Sequence, residues 1–317
     1  MPLPVLRERL RSGLLLTAGL IGLIVLDGYL STLAPARESR PLGHVRHWLC
    51  NGLICTLLTL VTTWLVAGEL ARFAKALGFR PFDLLAKLFA AGLVIGPYIS
   101  VNVQALADYR DESWAILSLA IALGCGFFMQ AVWRRTEDAM VNLATTVFIV
   151  FYAGGLAGFI VRLRLEVGGA GGAALLLFTL LCIKMADIGA YFVGSLAGRN
   201  KLIEWLSPKK TWEGFVGGLA FSVVWSLGIG AYLERAGFVE LGGGWRSFAL
   251  LGVFGLVMGV TSVAGDLCAS LLKRNAAVKD SGQVIPGMGG ALDVADSPLL
   301  AAPVAWFFWT RLVPLLT

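Results

Sequence analysis

Long apolar runs dominate the chain and alternate with short polar stretches. Each run has about 20 residues or more, the length that an α-helix needs to cross the hydrocarbon core of a bilayer. The pattern predicts nine spanning helices, of which the sixth and eighth are unusually long, near residues 13–34, 48–68, 84–106, 114–133, 140–161, 170–197, 214–233, 247–271 and 298–317. The fold class predicted from this pattern is an all-α polytopic membrane protein.

No tandem repeat and no stretch the size of a soluble domain interrupts these runs. We therefore expect a single integral membrane domain over residues 1–317, with N-terminal helices in 1–165 and catalytic helices and polar loops in 170–317. The first run follows several arginines, as a secretory signal does, but it is longer than the usual signal core of roughly 7 to 15 residues. We expect an uncleaved first helix.

Composition and charge agree with a membrane protein. Hydrophobic residues make up 57% of the chain and charged residues 15%, which is more apolar surface than one soluble core of this size can hide. Lys and Arg concentrate in alternate loops, as the positive-inside rule requires of a chain whose N-terminus is cytoplasmic. Topology therefore accounts for the net charge of +6, and no nucleic-acid partner is expected.

One polar stripe runs along the predicted eighth helix. Ser262, Asp266, Ser270 and Lys273 fall at positions i, i+4, i+8 and i+11, so they share one face of an otherwise apolar helix. Asp293 and Asp296 follow at i and i+3. The two late carboxylates are therefore predicted to share a helix face as well.

The free energy of burial sets a condition on these acids. An unpaired Asp in the hydrocarbon costs roughly 3 kcal/mol, so three of them would consume much of a net stability of about 5 to 15 kcal/mol. Asp266, Asp293 and Asp296 must therefore be neutralised, by nearby lysines or by Mg²⁺, which binds a few carboxylates together with waters and substrate phosphates. A second interpretation, with helix-capping carboxylates and interfacial lysines, is open from the residues alone.

A second polar stretch covers residues 184–214. Lys184 and Asp187 lie three residues apart on the sixth run, where the spacing fits a simple ion pair or a contact with substrate or metal.

Within that stretch, Ser207-Pro208 predicts a helix N-cap followed by proline at the first helical position. Lys209, Lys210 and Thr211 would then lie beside a helix N-terminus, a place that suits phosphate. An ordinary basic cytoplasmic loop explains these residues equally well by spacing alone.

Both stretches resemble the signature of the CDP-diacylglycerol synthases, also called phosphatidate cytidylyltransferases. The matching segments are Ser270-Leu-Leu-Lys273-Arg274, Lys279-Asp280, Pro286-Gly-Met-Gly-Gly290, Asp293-Val-Ala-Asp296, Asp187-Ile-Gly-Ala-Tyr191, Gly194 and Ser207-Pro-Lys-Lys-Thr-Trp-Glu-Gly214. They cover roughly residues 180–300, whereas the first five runs match only as hydrophobic helices. The family commonly has His where this chain has Met288 and Arg where it has Val294.

The resemblance implies transfer of a cytidylyl group from CTP to phosphatidic acid, giving CDP-diacylglycerol and pyrophosphate in phospholipid biosynthesis. It also implies Mg²⁺ as cofactor, with room for a second cation, and an enzyme of the inner membrane. The distribution of Lys and Arg places loops 198–213 and 272–297 on the same, cytoplasmic side, so we expect a polar active-site cavity that faces the cytoplasm. The expected partners are CTP, phosphatidic acid, the lipid bilayer and, in addition, a second copy of the chain in a homodimer.

Two other functions compete with this one. A related CTP-dependent enzyme would act on an isoprenoid lipid, and an ion-coupled transporter would carry ions on its acids. The transporter predicts inverted repeats and broken helices in both halves, and the sequence shows neither.

The resemblance also implies roles for particular residues. The predicted catalytic set is Asp266, Lys273, Lys279, Asp280, Asp293 and Asp296, of which Asp266, Asp293 and Asp296 are the expected metal ligands. The predicted substrate-binding set is Asp187, Ser207, Lys209, Lys210, Thr211, Ser270, Arg274, Gly289 and Gly290.

Overall fold

A computed structural model describes residues 3–33, 48–102, 113–282 and 289–317. Its elements, in chain order, are α1 (Leu3–Thr32), α2 (Leu53–Ala76), α3 (Asp83–Asn102), α4 (Ser113–Trp133), α5 (Ala139–Ile149), a π-helical segment (Val150–Gly155), α6 (Leu156–Glu166), α7 (Gly169–Ala197), β1 (Lys201–Ile203), β2 (Ser207–Thr211), α8 (Trp212–Arg235), α9 (Gly244–Asn275), α10 (Ala291–Phe307), a second π-helical segment (Phe308–Leu312) and α11 (Val313–Leu316). The all-α fold class is confirmed, with one short hairpin added.

Within the described ranges, nine helical stretches are long and apolar enough to span a membrane, as the sequence predicts. The sixth and eighth are indeed long, at 29 and 32 residues. A 32-residue helix measures about 48 Å, against a hydrocarbon core of about 30 Å. The end of α9 that carries Ser270 and Lys273 can therefore project into the polar region of the membrane.

Two apolar clusters form the core of the bundle, and α10 belongs to both. The first cluster packs α2, α3, α5 and α6 against the beginning of α10, through residues such as Leu292 and Leu299. The second packs α6, α7, α8 and α9 against the later part of α10, around Trp306. The helix that carries Asp293 and Asp296 thus joins the N-terminal and C-terminal helices.

A buried ion pair ties α1, α2 and α6 together. Arg164 Nε donates to Asp27 Oδ2 at 2.7 Å, and the two side chains are 0% and 2% exposed. The other oxygen of Asp27 accepts from the backbone N–H groups of Ile54 and Cys55 at the start of α2. The N-cap of α2 is Gly52, which has no side chain to satisfy these groups.

Candidate active site

A polar cavity of about 400 Å³ opens at one end of the bundle. Helices α7 and α9 end near it, and α8 and α10 begin near it. Its polar lining combines acids, lysines and hydroxyls, namely Lys184, Asp187, Tyr191, Ser207, Lys209, Lys210, Thr211, Asp266, Asp293, Asp296 and Ser297. Eight of these were predicted as site residues from the sequence. The two polar stretches of the chain therefore form one site.

Asp266 is neutralised by a lysine of the hairpin. Lys210 Nζ lies 2.8 Å from Asp266 Oδ2 and also donates to the backbone oxygen of Val263 at 3.4 Å. Ser270 Oγ donates to the other carboxylate oxygen at 3.4 Å, from one turn further along α9. The polar stripe predicted on this helix is thus confirmed, with a partner supplied by a different element.

The hairpin corrects the prediction that a helix begins at Ser207-Pro208. Ser207 is not a helix N-cap: residues 207–211 form β2, paired antiparallel with β1 so that Ile203 faces Ser207 and Lys201 faces Thr211. The N-cap of α8 is Thr211, whose hydroxyl accepts from Gly214 N at 3.1 Å. Pairing with β1 holds the chain extended through Pro208, so the helix begins four residues later than the Ser-Pro pattern predicted.

Glu213, in the first turn of α8, holds the other end of the hairpin. Its carboxylate accepts from the backbone N–H groups of Arg199 and Asn200 and from Asn200 Nδ2, at 2.7 to 3.2 Å. The turn that leads into β1 is therefore fixed to the same helix end that follows β2.

Asp187 connects α7 to α9. Its Oδ1 accepts from Ser262 Oγ at 2.7 Å, and its Oδ2 lies 3.3 Å from Lys184 Nζ. Lys184 and Asp187 form the ion pair that their spacing allows, and both also line the cavity. The two interpretations of this pair are therefore compatible.

Asp293 is held by four protein donors. Lys273 Nζ lies 2.6 Å from Oδ1, and the two side chains are each 12% exposed. Oδ2 accepts from Ser281 N at 2.8 Å, Ser281 Oγ at 2.9 Å and Gly290 N at 3.0 Å. The carboxylate thereby joins the backbone on both sides of residues 283–288.

Asp296 is the most buried acid of the cavity, at 6% exposed. Its Oδ1 accepts from Ser297 N at 2.6 Å, and it lines the same cavity as Asp266 and Asp187. Helices α9 and α10 touch here, because Gly265 of α9 packs on the backbone of Asp296 and Ser297. Ser297 Oγ adds a hydrogen bond to Ser262 O at 3.0 Å.

The donor set of the cavity suits a hard cation. Asp187, Asp266, Asp293 and Asp296 supply carboxylate oxygens around one polar space, which is the ligand type that Mg²⁺ prefers. Among the described residues, no three acid, His or Cys side chains converge closely enough to hold an ion in this arrangement. Lys210 and Lys273 lie beside two of the four carboxylates instead.

Other predicted residues lie outside the cavity lining. Lys273 and Gly290 donate hydrogen bonds to Asp293, which lines the cavity. Ser270 donates to Asp266 in the same way. The side chains of Arg274, Lys279 and Asp280 are exposed. Gly289 adopts a φ of +100°, a conformation that favours glycine. The predictions that concern Pro286, Gly287 and Met288 fall outside the described residues.

Sequence reasoning missed Glu69 of α2. Its side chain is 1% exposed, and its two carboxylate oxygens accept from Ala291 N and Leu292 N, each at 2.8 Å. The signal was available, because an acid inside an apolar run must have a partner, as Asp266 must. The position of that partner, far along the chain, was not predictable from spacing.

This architecture defines a class: a helical membrane protein with a cavity of acids and lysines suited to phosphate-bearing substrates. The sequence profile of the cytidylyltransferase family matches residues 44–312. The chain belongs to the cytidylyltransferase family, and the resemblance found in its motifs is confirmed. With it comes the class of enzyme, a nucleotidyltransferase that uses CTP.

Curated relatives carry a more specific name. A phosphatidate cytidylyltransferase of Synechocystis is 38% identical over 226 residues, which is 64% of this chain and 73% of the relative. One from Brucella suis is 28% identical over 265 residues, covering 82% of this chain and 91% of the relative. For one from Haemophilus influenzae, 36% identical, the alignment spans 59% of the relative.

Proposed function

We propose that this enzyme transfers the cytidylyl group of CTP to phosphatidic acid, yielding CDP-diacylglycerol and pyrophosphate. The observation that carries the proposal is the cavity in which Lys184, Lys209 and Lys210 meet the four carboxylates at one end of a membrane bundle. The names of the relatives from Synechocystis and Brucella suis support the choice of lipid.

The reaction needs positioning more than covalent catalysis. An oxygen of the lipid phosphate attacks the α-phosphorus of CTP, a new P–O bond forms, and the bond to the β-phosphate oxygen breaks to release pyrophosphate. Lys209 and Lys210 would neutralise phosphate charge, and the cavity would hold nucleophile and leaving group in line. Lys184 and Lys210 are each paired with an aspartate in the structure. A substrate phosphate would replace the aspartate as the anionic partner of the lysine.

We assign Asp266, Asp293 and Asp296 as the ligands of Mg²⁺, with Asp187 beside them. When bound, the cation would neutralise charge on the phosphates of the substrate. The residues themselves hold the frame: Lys273, Ser281 and Gly290 orient Asp293, while Ser297 orients Asp296. Lys279 would bind a substrate phosphate, and Asp280 would be a further ligand of the cation or orient one of its ligands.

The proposal includes sidedness, with the cavity facing the cytoplasm, where CTP is found. The support is the distribution of Lys and Arg in the sequence. Lys201→Cys in β1, made in a variant whose five native cysteines are replaced by alanine, provides a single labelling site close to the cavity. In intact cells it should react with a membrane-permeant maleimide and resist an impermeant one, and labelling by the impermeant reagent would reverse the topology.

Purified protein with CTP, Mg²⁺ and short-chain phosphatidic acid should release pyrophosphate and form CDP-diacylglycerol, identified by mass spectrometry. An isoprenoid phosphate in place of phosphatidic acid is the discriminating arm. Product from the isoprenoid acceptor alone would overturn the choice of lipid, and no product from either would overturn the function. Asp296→Asn serves as the inactive control.

A further inference from the structure

Glu69 reaches from the N-terminal helices to the helix that carries two of the site's acids. It lies near the end of α2, and its carboxylate accepts from the backbone N–H groups of Ala291 and Leu292, each at 2.8 Å. These are the first two residues of α10. Asp293 and Asp296 follow within the next turn.

The first turn of α10 needs such an acceptor. The first four N–H groups of a helix have no partner within it, and the N-cap here is Gly290, which has no side chain. Asp293 satisfies Gly290 N, and Glu69 satisfies the next two donors. A negative charge at this position also suits the positive end of the helix dipole.

Two glycines allow the carboxylate to come this close. A Cβ at Gly282 would lie 2.8 Å from Glu69 Oε1, and one at Gly290 would also meet Glu69 and Ser281. Gly282 and Gly290 lie on either side of residues 283–288. The carboxylate therefore packs against Gly282 as well as against the start of α10.

The amides are the main partners of Glu69. The guanidinium of Arg72 lies 3.7 Å from its carboxylate, but the Arg72 side chain is 61% exposed, and exposed ion pairs contribute little. Hydrogen bonds between a carboxylate and helix amides are charge-assisted and short. Because both carboxylate oxygens of the buried Glu69 bond to these amides, the position of Glu69 and that of the first turn of α10 are coupled.

We propose that Glu69 is a positioning residue for the cytidylyl transfer: by holding the first turn of α10 it sets Asp293 against Lys273 and Asp296 against Asp266. The inference rests on the proposed function, since it assigns these acids to the reacting site. It also gives the N-terminal helices a part in turnover, although the motif segments named in the sequence analysis all lie after residue 180.

Glu69→Gln tests this role, because the carboxamide keeps the length of the side chain and loses one of the two acceptors. We expect kcat to fall by about 10- to 100-fold, since a displacement of about 1 Å in a site can cost about 100-fold. The KM for CTP should stay within about twofold. Glu69→Ala, which removes both acceptors, should lower the turnover of folded protein further than Glu69→Gln.

Glu166→Gln is the matched control. Glu166 Oε2 accepts from Trp306 Nε1 at 2.9 Å, so it also holds α10, but near the opposite end of the helix. This variant should keep the kcat of the wild type. Thermal unfolding and gel filtration in detergent should show that both variants are folded.

The outcomes separate a positioning role from a structural one. A folded Glu69→Gln protein with kcat within twofold of the wild type would overturn the proposal. So would loss of activity in proportion to loss of folded protein, because Glu69 would then only support the fold. The activity of the wild type on phosphatidic acid is measured separately. If another lipid is the acceptor, the function proposed above is wrong, and the Glu69 variants are then compared with the wild type on that lipid.

Discussion

Lys210 of the β-hairpin and Asp266 of α9 form an ion pair, with Nζ 2.8 Å from Oδ2. The contact joins the basic stretch around residue 209 to the polar stripe of α9. The two side chains are 22% and 40% exposed, so the pair remains accessible from the cavity. In the function proposed above, this lysine would bind a substrate phosphate.

Replacing Lys210 with Ala is expected to raise the KM for CTP or for the lipid phosphate by about 10- to 100-fold. A charge-assisted hydrogen bond is worth about 1.5 to 3 kcal/mol, and the partly exposed position limits the effect on stability. Steady-state kinetics with each substrate varied in turn measures the change. Lys201→Ala, in the same hairpin but outside the cavity lining, should leave both constants unchanged. If neither constant moves in Lys210→Ala, the hairpin lysine does not bind substrate.

Asp293→Asn should abolish turnover while the protein still inserts and folds. The substitution removes a charge from the site without a change in volume, and it leaves Lys273 without its anionic partner. We expect a stability loss of about 1 to 3 kcal/mol from the weakened hydrogen bonds, measured by thermal unfolding. Asp138→Asn is the control, because Asp138 is exposed and its side chain caps no N–H group. Near-normal activity at saturating Mg²⁺ would show that Asp293 is not a ligand of the metal.

Gly265→Ala should lower activity by about tenfold or more. A Cβ at this position would lie 2.6 Å from the backbone oxygen of Asp296 and 2.7 Å from the Cα of Ser297, so α9 and α10 would have to move apart, and with them Asp266 and Asp296. Overpacking of this kind costs about 1 to 3 kcal/mol. Activity per folded molecule is the measurement.

Gly252→Ala, in the same helix, is the matched control for this substitution. Nothing lies within 4 Å of a Cβ at Gly252, so it should be neutral, or stabilising by up to about 1 kcal/mol because alanine favours helix. Equal activities of the two variants would show that close contact between α9 and α10 is not required.

The wild-type chain should be active although Met288 stands where the family commonly has His. A phosphate monoester loses its second proton at a pKa of about 6, so little is left for a base to remove at neutral pH. Met288→His should change the rate by about tenfold or less, equivalent to one contact of roughly 1.4 kcal/mol. A wild-type protein that binds CTP and forms no product, with turnover restored in Met288→His, would contradict this.

The sequence by itself determined the nine spans, the polar stripe of α9 and the identity of most polar residues of the cavity. These features are local: crossing a bilayer depends on the length and apolarity of one segment, and a helical stripe depends on spacing within one helix. The motif residues could be named for the same reason, since their order and spacing lie along the chain.

Only the tertiary structure decided which groups meet. Ser207 was predicted as an N-cap, but pairing of β2 with β1 moved the helix start to Trp212 and gave the cap to Thr211. The match of Lys210 to Asp266, and of Glu69 to the first amides of α10, depends on how helices distant in sequence pack together. A buried charge requires a partner, which sequence can state, but the partner is chosen by the packing that brings it within hydrogen-bonding distance.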